Sequence, residues 1–343
     1  MKINFIIPFK RLSGGIRVVY IYANYLVSQG HDVCCYLPAI SYKGKNQSVG
    51  LRLRASISNT VKKENWFDCK FPVKVVPRIN NFFIRNADVS IATAWQTAYD
   101  VAKLSNKKGK KVYLVQDYET FNGSKEDVEG TYKLGLHTVV VSKKLKEILN
   151  KFTDDVILIN NGISEDEFIR KNKPTHLDFR VLLMYNEAPF KGSKEGVEII
   201  RKLKKKYPDV KGMIFGRSIP QNLKGEFFCE ELPKRKDLLN MYRNADVYLF
   251  TSHREAWGLP VVEAMANKCA VIGRRIGALA ELGTSKNSML VADNKEMYQS
   301  LLKLYNDRQL LREIQNNGYE SVQYLSWNNS CEKFLKYLRK IEG

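Results

Sequence analysis

Short apolar runs alternate with amphipathic ones along most of the chain. INFIIPF comes first, a helical spacing of apolar residues follows through VVYIYANYLVSQG to a stop at Gly30, and HDVCCYLP is the next apolar run. Short runs of this kind predict buried strands, and the 3.6-residue spacing between them predicts a crossover helix, so the chain opens as a β-α-β unit. FPVKVVP, ADVSIATA, KKVYLVQD and HTVVVS read as further strands, with YDVAKLSNK and KKLKEILNKF as helices between some of them. From about residue 39 to 70 the chain is polar and basic, and loops with room for a helical excursion are expected there.

A polar stretch at 164–178, with Pro174, mixed charges and little apolar periodicity, reads as a linker. The pattern then restarts with FRVLLMY, EGVEIIRKLKKKY, KGMIFG, RKDLLNMYRNA, DVYLFTS and CAVIG. From about Asn294 the periodicity is helical, with a break at Leu325–Trp327 and a last amphipathic helix, CEKFLKYLRKIE. The expected fold class is α/β, with two Rossmann-like, doubly wound parallel-sheet domains, an N-terminal one over 1–163 and a C-terminal one over 179–327. A length of 343 residues agrees with two domains and a cleft between them.

Composition narrows the function classes. No apolar run is long enough to cross a bilayer, and the short N-terminal run ends at Pro8, so it reads as a strand rather than a signal peptide. Six cysteines (34, 35, 69, 229, 269 and 331) form no C-x-x-C pair, and the four histidines are scattered; reduced thiols and no bound metal are expected. The net charge of +20 points either to a lysine-rich surface or to an anionic partner. Lysines cluster at 103–111, 142–152 and 201–208 without an aromatic platform, so nucleic acid is not the expected partner.

The densest chemistry lies in REAWGLPVVEAMANKCAVIG, Arg254–Gly273. Ligands of an open parallel sheet bind beyond the carboxyl ends of the strands, where loops enter helices. SHREAWG follows the strand DVYLFTS, and Pro260 suits the first helical position. The helix start attracts an anion, and Gly258 allows close approach of a phosphate. Glu255 in the loop and Glu263 in the first turns flank that point. Carboxylates accept hydrogen bonds from sugar hydroxyls, so one on each side of a diphosphate suits a nucleotide sugar.

This arrangement resembles the E-x7-E motif of family-4-like glycosyltransferases with the GT-B fold, the glycosyl transferases of group 1. DLLNMYRNADVYLFTS before it and GRRIGALAEL after it are similar to the flanks of that motif. NNGISEDEF, Asn160–Phe168, resembles the family signature that ends the first domain. Ser326–Trp327 resembles the point where the chain recrosses, which implies that helix 328–343 packs back on the first domain. The resemblance implies that Glu263 binds the ribose hydroxyls, that Glu255 contacts the transferred sugar, and that Trp257, Gly258 and Leu259 face the diphosphate. It implies that Lys191, in FKGS, is the diphosphate lysine. Where the family places an arginine five residues earlier this chain has Asn186, and Arg217 in FGRS is a substitute. Gln116 and Asp117, in LVQDYE, stand where many members have a histidine. Gly14 and Gly15 correspond to a glycine loop on the acceptor or donor-phosphate side.

The expected protein is therefore a glycosyltransferase with two domains facing each other across a cleft. It would move a hexosyl or deoxyhexosyl group, with retention implied by the family. The donor would be a nucleotide-diphosphate sugar and the acceptor a glycan, a lipid-linked sugar or a polysaccharide. No cofactor or metal is expected. A cytoplasmic location is expected, with docking on an anionic inner membrane face as a further partner surface. The alternatives are a non-catalytic sugar- or nucleotide-binding protein and a basic nucleic-acid-binding protein.

Overall fold

A computed structural model describes residues 1–40, 42, 66–170 and 173–343; most of the polar region expected to hold loops and a helical excursion lies outside them. The chain forms two compact units, one of residues 1–161 with 327–343 and the other of residues 162–326. The stretch 164–178 lies within the second unit, where Glu165–Glu167 make a single 3-10 turn.

The first unit is a parallel sheet of strands β1 (Lys2–Ile6), β2 (Asp32–Pro38), β3 (Val73–Val76), β4 (Val89–Ala92), β5 (Lys110–Val115), β6 (His137–Val140) and β7 (Val156–Leu158). Their spatial order is β3-β2-β1-β4-β5-β6-β7. Order therefore reverses between β1 and β4, which pair in register from Ile3 with Val89 to Ile6 with Ala92. Among its helices are α1 (Gly14–Ser28), α2 (Trp95–Ala102), α3 (Lys125–Thr131) and α4 (Lys143–Leu149). The helix expected over YDVAKLSNK starts four residues earlier, at Trp95, and stops at Ala102. The Thr97 hydroxyl takes the backbone N–H groups of Thr93 and Ala94 at 2.9 and 3.0 Å, which caps the earlier start. Lys103–Lys108 leave the helix through a 3-10 turn at Asn106–Lys108.

In the second unit β8 (Phe179–Tyr185), β9 (Val210–Gly216), β10 (Phe228–Glu231), β11 (Val247–Phe250), β12 (Ala270–Arg274) and β13 (Met289–Val291) form a parallel sheet. Its order is β10-β9-β8-β11-β12-β13. Around it lie α5 (Ser193–Lys206), α6 (Arg235–Asn244), α7 (Leu259–Ala266), α8 (Ala278–Leu282), α9 (Asn294–Asn306) and α10 (Arg308–Val322). Helix α5 turns Val197, Ile200 and Leu203 onto Val181, Leu183 and Ile214 of the sheet, while Lys204–Lys206 occupy its last turn, where the carbonyl end favours cations. Helix α7 is buried almost throughout, which its sequence LPVVEAMA allows everywhere except at Glu263. A buried carboxylate needs partners, and that requirement leads to the site.

The last helix, α11 (Trp327–Glu342), belongs to the first unit. Phe334 meets Tyr22 of α1 with ring centroids 4.5 Å apart, and Ser330 donates to the Asn160 carbonyl at 2.7 Å.

Candidate functional site

In the second unit the strand order reverses between β8 and β11, which pair from Val247 with Val181 to Leu249 with Leu183. Loops that leave two such strands at their carboxyl ends must diverge, and the gap between them is where doubly wound sheets bind ligands. Lys191 follows β8 and Glu255 follows β11. Their side chains meet in this gap, with Nζ 2.5 Å from Oε2 and each side chain 16% exposed. Two residues separated by 64 positions are thus held as a half-buried ion pair, short enough to be charge-assisted.

Backbone contacts fix the two loops to each other. The Thr251 hydroxyl donates to the Lys191 carbonyl at 2.7 Å, and the His253 N–H donates to the Phe190 carbonyl at 2.8 Å. Gly192 ends the Pro189–Lys191 turn in the left-handed region, at φ 61°, and lies so close to Thr251 that a side chain would collide with its carbonyl oxygen. Arg274, at the end of β12, donates to the same carbonyl at 2.7 Å. Glu195, in the first turn of α5, accepts from Asn294 at 2.6 Å and pairs with His253 at 2.7 Å. Burial would raise its pKa, but Asn294, His253 and Arg274 outweigh burial and hold it below the usual carboxylate range.

Gly258 precedes α7 with φ 87°, a conformation that suits glycine, and the helix begins at Leu259, so Pro260 is its second residue rather than its first. Trp257 is buried, and among the described residues its indole N–H has no hydrogen-bond partner. Glu263 is 5% exposed. Its Oε1 lies 2.9 Å from a guanidinium nitrogen of Arg235, and its Oε2 accepts from the Tyr242 hydroxyl at 3.2 Å. Arg235 also donates through Nε to Glu167 at 2.6 Å. Burial disfavours the guanidinium charge, yet the two carboxylates more than offset it and hold Arg235 cationic.

Asn186 is exposed and turned inwards on its own loop, accepting the Ala188 N–H at 2.9 Å while its backbone N–H bonds the Ser193 hydroxyl. Arg217 is exposed in the turn after β9, one strand outside the β8 and β11 pair. Lys191 and Glu255 are therefore brought together, Glu263 is placed on the adjoining helix, and Arg217 belongs to a neighbouring loop. Arg235, Tyr242 and Arg274 were not legible as site residues. Arg235 and Tyr242 reach Glu263 from α6, and Arg274 reaches the Lys191 loop from the end of β12, so their places depend on contacts between elements.

In the first unit Gly14 and Gly15 are the first two residues of α1 rather than a loop, with Ser13 as the cap accepting the Ile16 N–H at 3.2 Å. A methyl group on Gly15 would come within 3.4 Å of the Gln116 side chain, so these two are neighbours beyond β1 and β5. Asp117 accepts the N–H of Tyr118 at 2.8 Å. Glu119 accepts the Trp95 N–H at the start of α2 at 2.7 Å, and burial pushes its pKa up to about 7 against the opposing pull of that N–H, with the Asp117 charge adding to the rise. Among the described residues no three His, Cys, Asp or Glu side chains converge as a metal site. No described helix is long and apolar enough to cross a membrane.

Two parallel, doubly wound Rossmann-like units are the architecture of GT-B glycosyltransferases. Solved structures with this fold overlay nearly the full chain. Sucrose-phosphate synthase from Thermosynechococcus elongatus matches with a TM-score of 0.74 at 14% identity, over 99% of this chain and 98% of that one. Anabaena HepE, in complex with UDP and glucose, matches with a TM-score of 0.74 at 15% identity over 99% of each chain. Residues 165–321 match the family model of glycosyl transferases group 1. The probable sucrose-phosphate synthase of Thermosipho melanesiensis is 30% identical over 156 residues, 43% of this chain and 35% of that protein. The trehalose synthase of Thermococcus litoralis is 27% identical over 186 residues, 48% of this chain and 45% of that protein. The capsular polysaccharide biosynthesis glycosyltransferase CapM of Staphylococcus aureus is 24% identical over 269 residues, 70% of each. The chain spans between a third and a half of the length of the first two of these relatives.

Proposed function

We propose that the chain transfers a hexosyl or deoxyhexosyl group from a nucleotide-diphosphate sugar to a glycan, lipid-linked or polysaccharide acceptor, with retention and without a metal. The observation that carries this reading is the Lys191–Glu255 pair at the strand-order reversal of a unit matching the glycosyl transferase family. Lys191 and the N–H groups that open α7 suit the diphosphate, Glu263 the ribose hydroxyls, and Glu255 the hydroxyls of the sugar. In the reaction the anomeric carbon–oxygen bond breaks with its electron pair going to the diphosphate. The acceptor oxygen bonds that carbon, and its proton passes to the departing phosphate. Charge grows on the diphosphate as the bond lengthens, so a fixed ammonium is more effective in the transition state than in the ground state. Gln116 and Asp117 of the first unit are assigned to the acceptor side.

The test is thermal stabilisation by UDP, GDP, dTDP, ADP and CDP and their sugars in chelator, with Glu263→Ala beside the unaltered chain. Stabilisation by one nucleotide that the variant loses is the expected result. No shift with any of them overturns the reading. UDP heads the panel because the HepE structure contains it.

A cytoplasmic location with docking on anionic membrane is part of the proposal. Helix α4 buries Leu145 and Leu149 and exposes Lys143 and Lys144, so attachment there is electrostatic rather than by insertion. Flotation with acidic vesicles at low salt, reversed at high salt, is the expected behaviour; protein that stays with the soluble fraction at low salt refutes it.

A further inference from the structure

Arg235 opens α6, and a cation at the start of a helix opposes the helix dipole. Its placement there calls for a reason beyond helix formation. The reason visible in the structure is a chain of charges from three distant segments, with Glu167 and Glu263 on either side of the guanidinium at 2.6 and 2.9 Å. Both carboxylates are buried, at 7% and 6% side-chain exposure. Glu167 is itself anchored, taking the Ser164 N–H at 3.3 Å on its other oxygen. Both oxygens of Glu263 have a partner: Oε1 lies 2.9 Å from Nη2 of Arg235 as an ion pair, and Oε2 accepts from the hydroxyl of the wholly buried Tyr242 at 3.2 Å. Buried ion pairs add little net stability, because desolvation consumes most of the attraction; what they supply is orientation.

We infer that Arg235 is a positioning residue of the donor site, which holds the Glu263 carboxylate in the one orientation that accepts the ribose hydroxyls of a nucleoside diphosphate. The inference rests on the donor-site reading of Glu263. Arg235 acts through Glu263 and leaves phosphate and base to other groups. Its loss is therefore felt by ligands that carry both ribose hydroxyls and not by analogues that lack one.

The experiment measures calorimetric affinities of UDP, GDP and ADP and of their 2′-deoxy and 3′-deoxy counterparts for the unaltered chain and for Arg235→Met, Arg235→Lys, Glu167→Gln and Glu263→Gln. A hydrogen bond to a charged acceptor corresponds to about tenfold in affinity, so the unaltered chain should prefer the ribonucleotide by about that factor. In Arg235→Met the ribonucleotide should weaken about tenfold while the analogue lacking the recognised hydroxyl changes less than about twofold, and Arg235→Lys should restore part of the preference. Glu167→Gln, which keeps Arg235 and removes one of its anchors, should lower the preference in the same direction and serves if Arg235→Met fails to fold. Equal weakening of ribonucleotide and analogue, or an unchanged preference in the Arg235 and Glu167 variants, overturns the inference. Loss of the preference in Glu263→Gln alone leaves the donor-site reading standing without it, whereas a preference that survives Glu263→Gln, or no binding to the unaltered chain, sinks both.

Discussion

Replacing Gly192 by alanine should separate the two loops that bring Lys191 to Glu255. Gly192 sits at φ 61°, where an alanine costs about 1–2 kcal/mol in backbone strain. A Cβ there would lie 2.4 Å from the Thr251 carbonyl oxygen and 3.3 Å from Nε2 of His253. The obstructing atom is backbone, and Arg274 already holds it at 2.7 Å, so it cannot turn aside as the end of a side chain would. Relief of such a contact adds about 1–3 kcal/mol, for a total of roughly 2–5 kcal/mol. In a unit of this size that corresponds to a fall in Tm of roughly 5–15 °C. Gly225→Ala is the matched control, because Gly225 has φ 95° and nothing within 4 Å of the added carbon. It should lose only the strain component, a few degrees. Calorimetric unfolding of the three proteins, followed by nucleotide-sugar binding below their transitions, separates the contributions. Equal losses in the two variants, or Gly192→Ala binding donor as tightly as the unaltered chain, would refute the argument that close packing at this glycine sets the Lys191–Glu255 geometry.

Lys191→Ala should reduce kcat by about 10²–10³ with a smaller effect on donor KM, since the ammonium is proposed to act mainly on charge that develops during bond breaking; steady-state kinetics giving a KM effect alone would move Lys191 from catalysis to binding. Glu119 supplies a pH test. Its folded pKa of about 7 lies above the 4.5 of an ordinary glutamate, so between these values the folded state holds the extra proton and stability falls as pH rises from about 4.5 to 7. The full span is worth on the order of 3 kcal/mol, complete below that window and lost above it. Unfolding of the wild type and of Glu119→Gln at pH 5 and pH 8 checks the sign: the variant should flatten the decline, and a parallel decline in both would clear Glu119 of responsibility.

Much of the architecture was legible because the central strands of both sheets, such as β4 and β11, are buried on two faces, and their apolar runs stand out from the helices between them. The elements that escaped are those with weak patterns. β7 and β13 are three residues long, and β10, FCEE, is an edge strand whose side chains are half or fully exposed. α3, KEDVEGT, buries only Val128 and Thr131 and has no apolar stripe. Of the candidate site, Lys191 and Glu255 could be found because each lies in a loop that leaves a recognisable strand. Arg235 could not, because it pairs with two carboxylates 68 positions upstream and 28 downstream, a proximity that only folding creates. Gly14 and Gly15 show the opposite limit, since a glycine pair fits a loop or a helical first turn, and the Ser13 cap selects the second.

The ion pair between Lys191 and Glu255 also bears on how a catalytic cycle would end. A cation already matched to an internal anion does not wait for a diphosphate; on the proposed reaction it exchanges one partner for another. On that reading a nucleotide sugar would complete the exchange, its phosphates replacing Glu255 on the lysine and its sugar hydroxyls satisfying the displaced glutamate. A nucleoside diphosphate stripped of its sugar offers only the first half, and the stranded carboxylate then competes for the lysine. The resting pair, on the proposed reaction, is thus a spring that favours release of the spent nucleotide, and it lets the same two side chains that receive the donor discharge what remains of it.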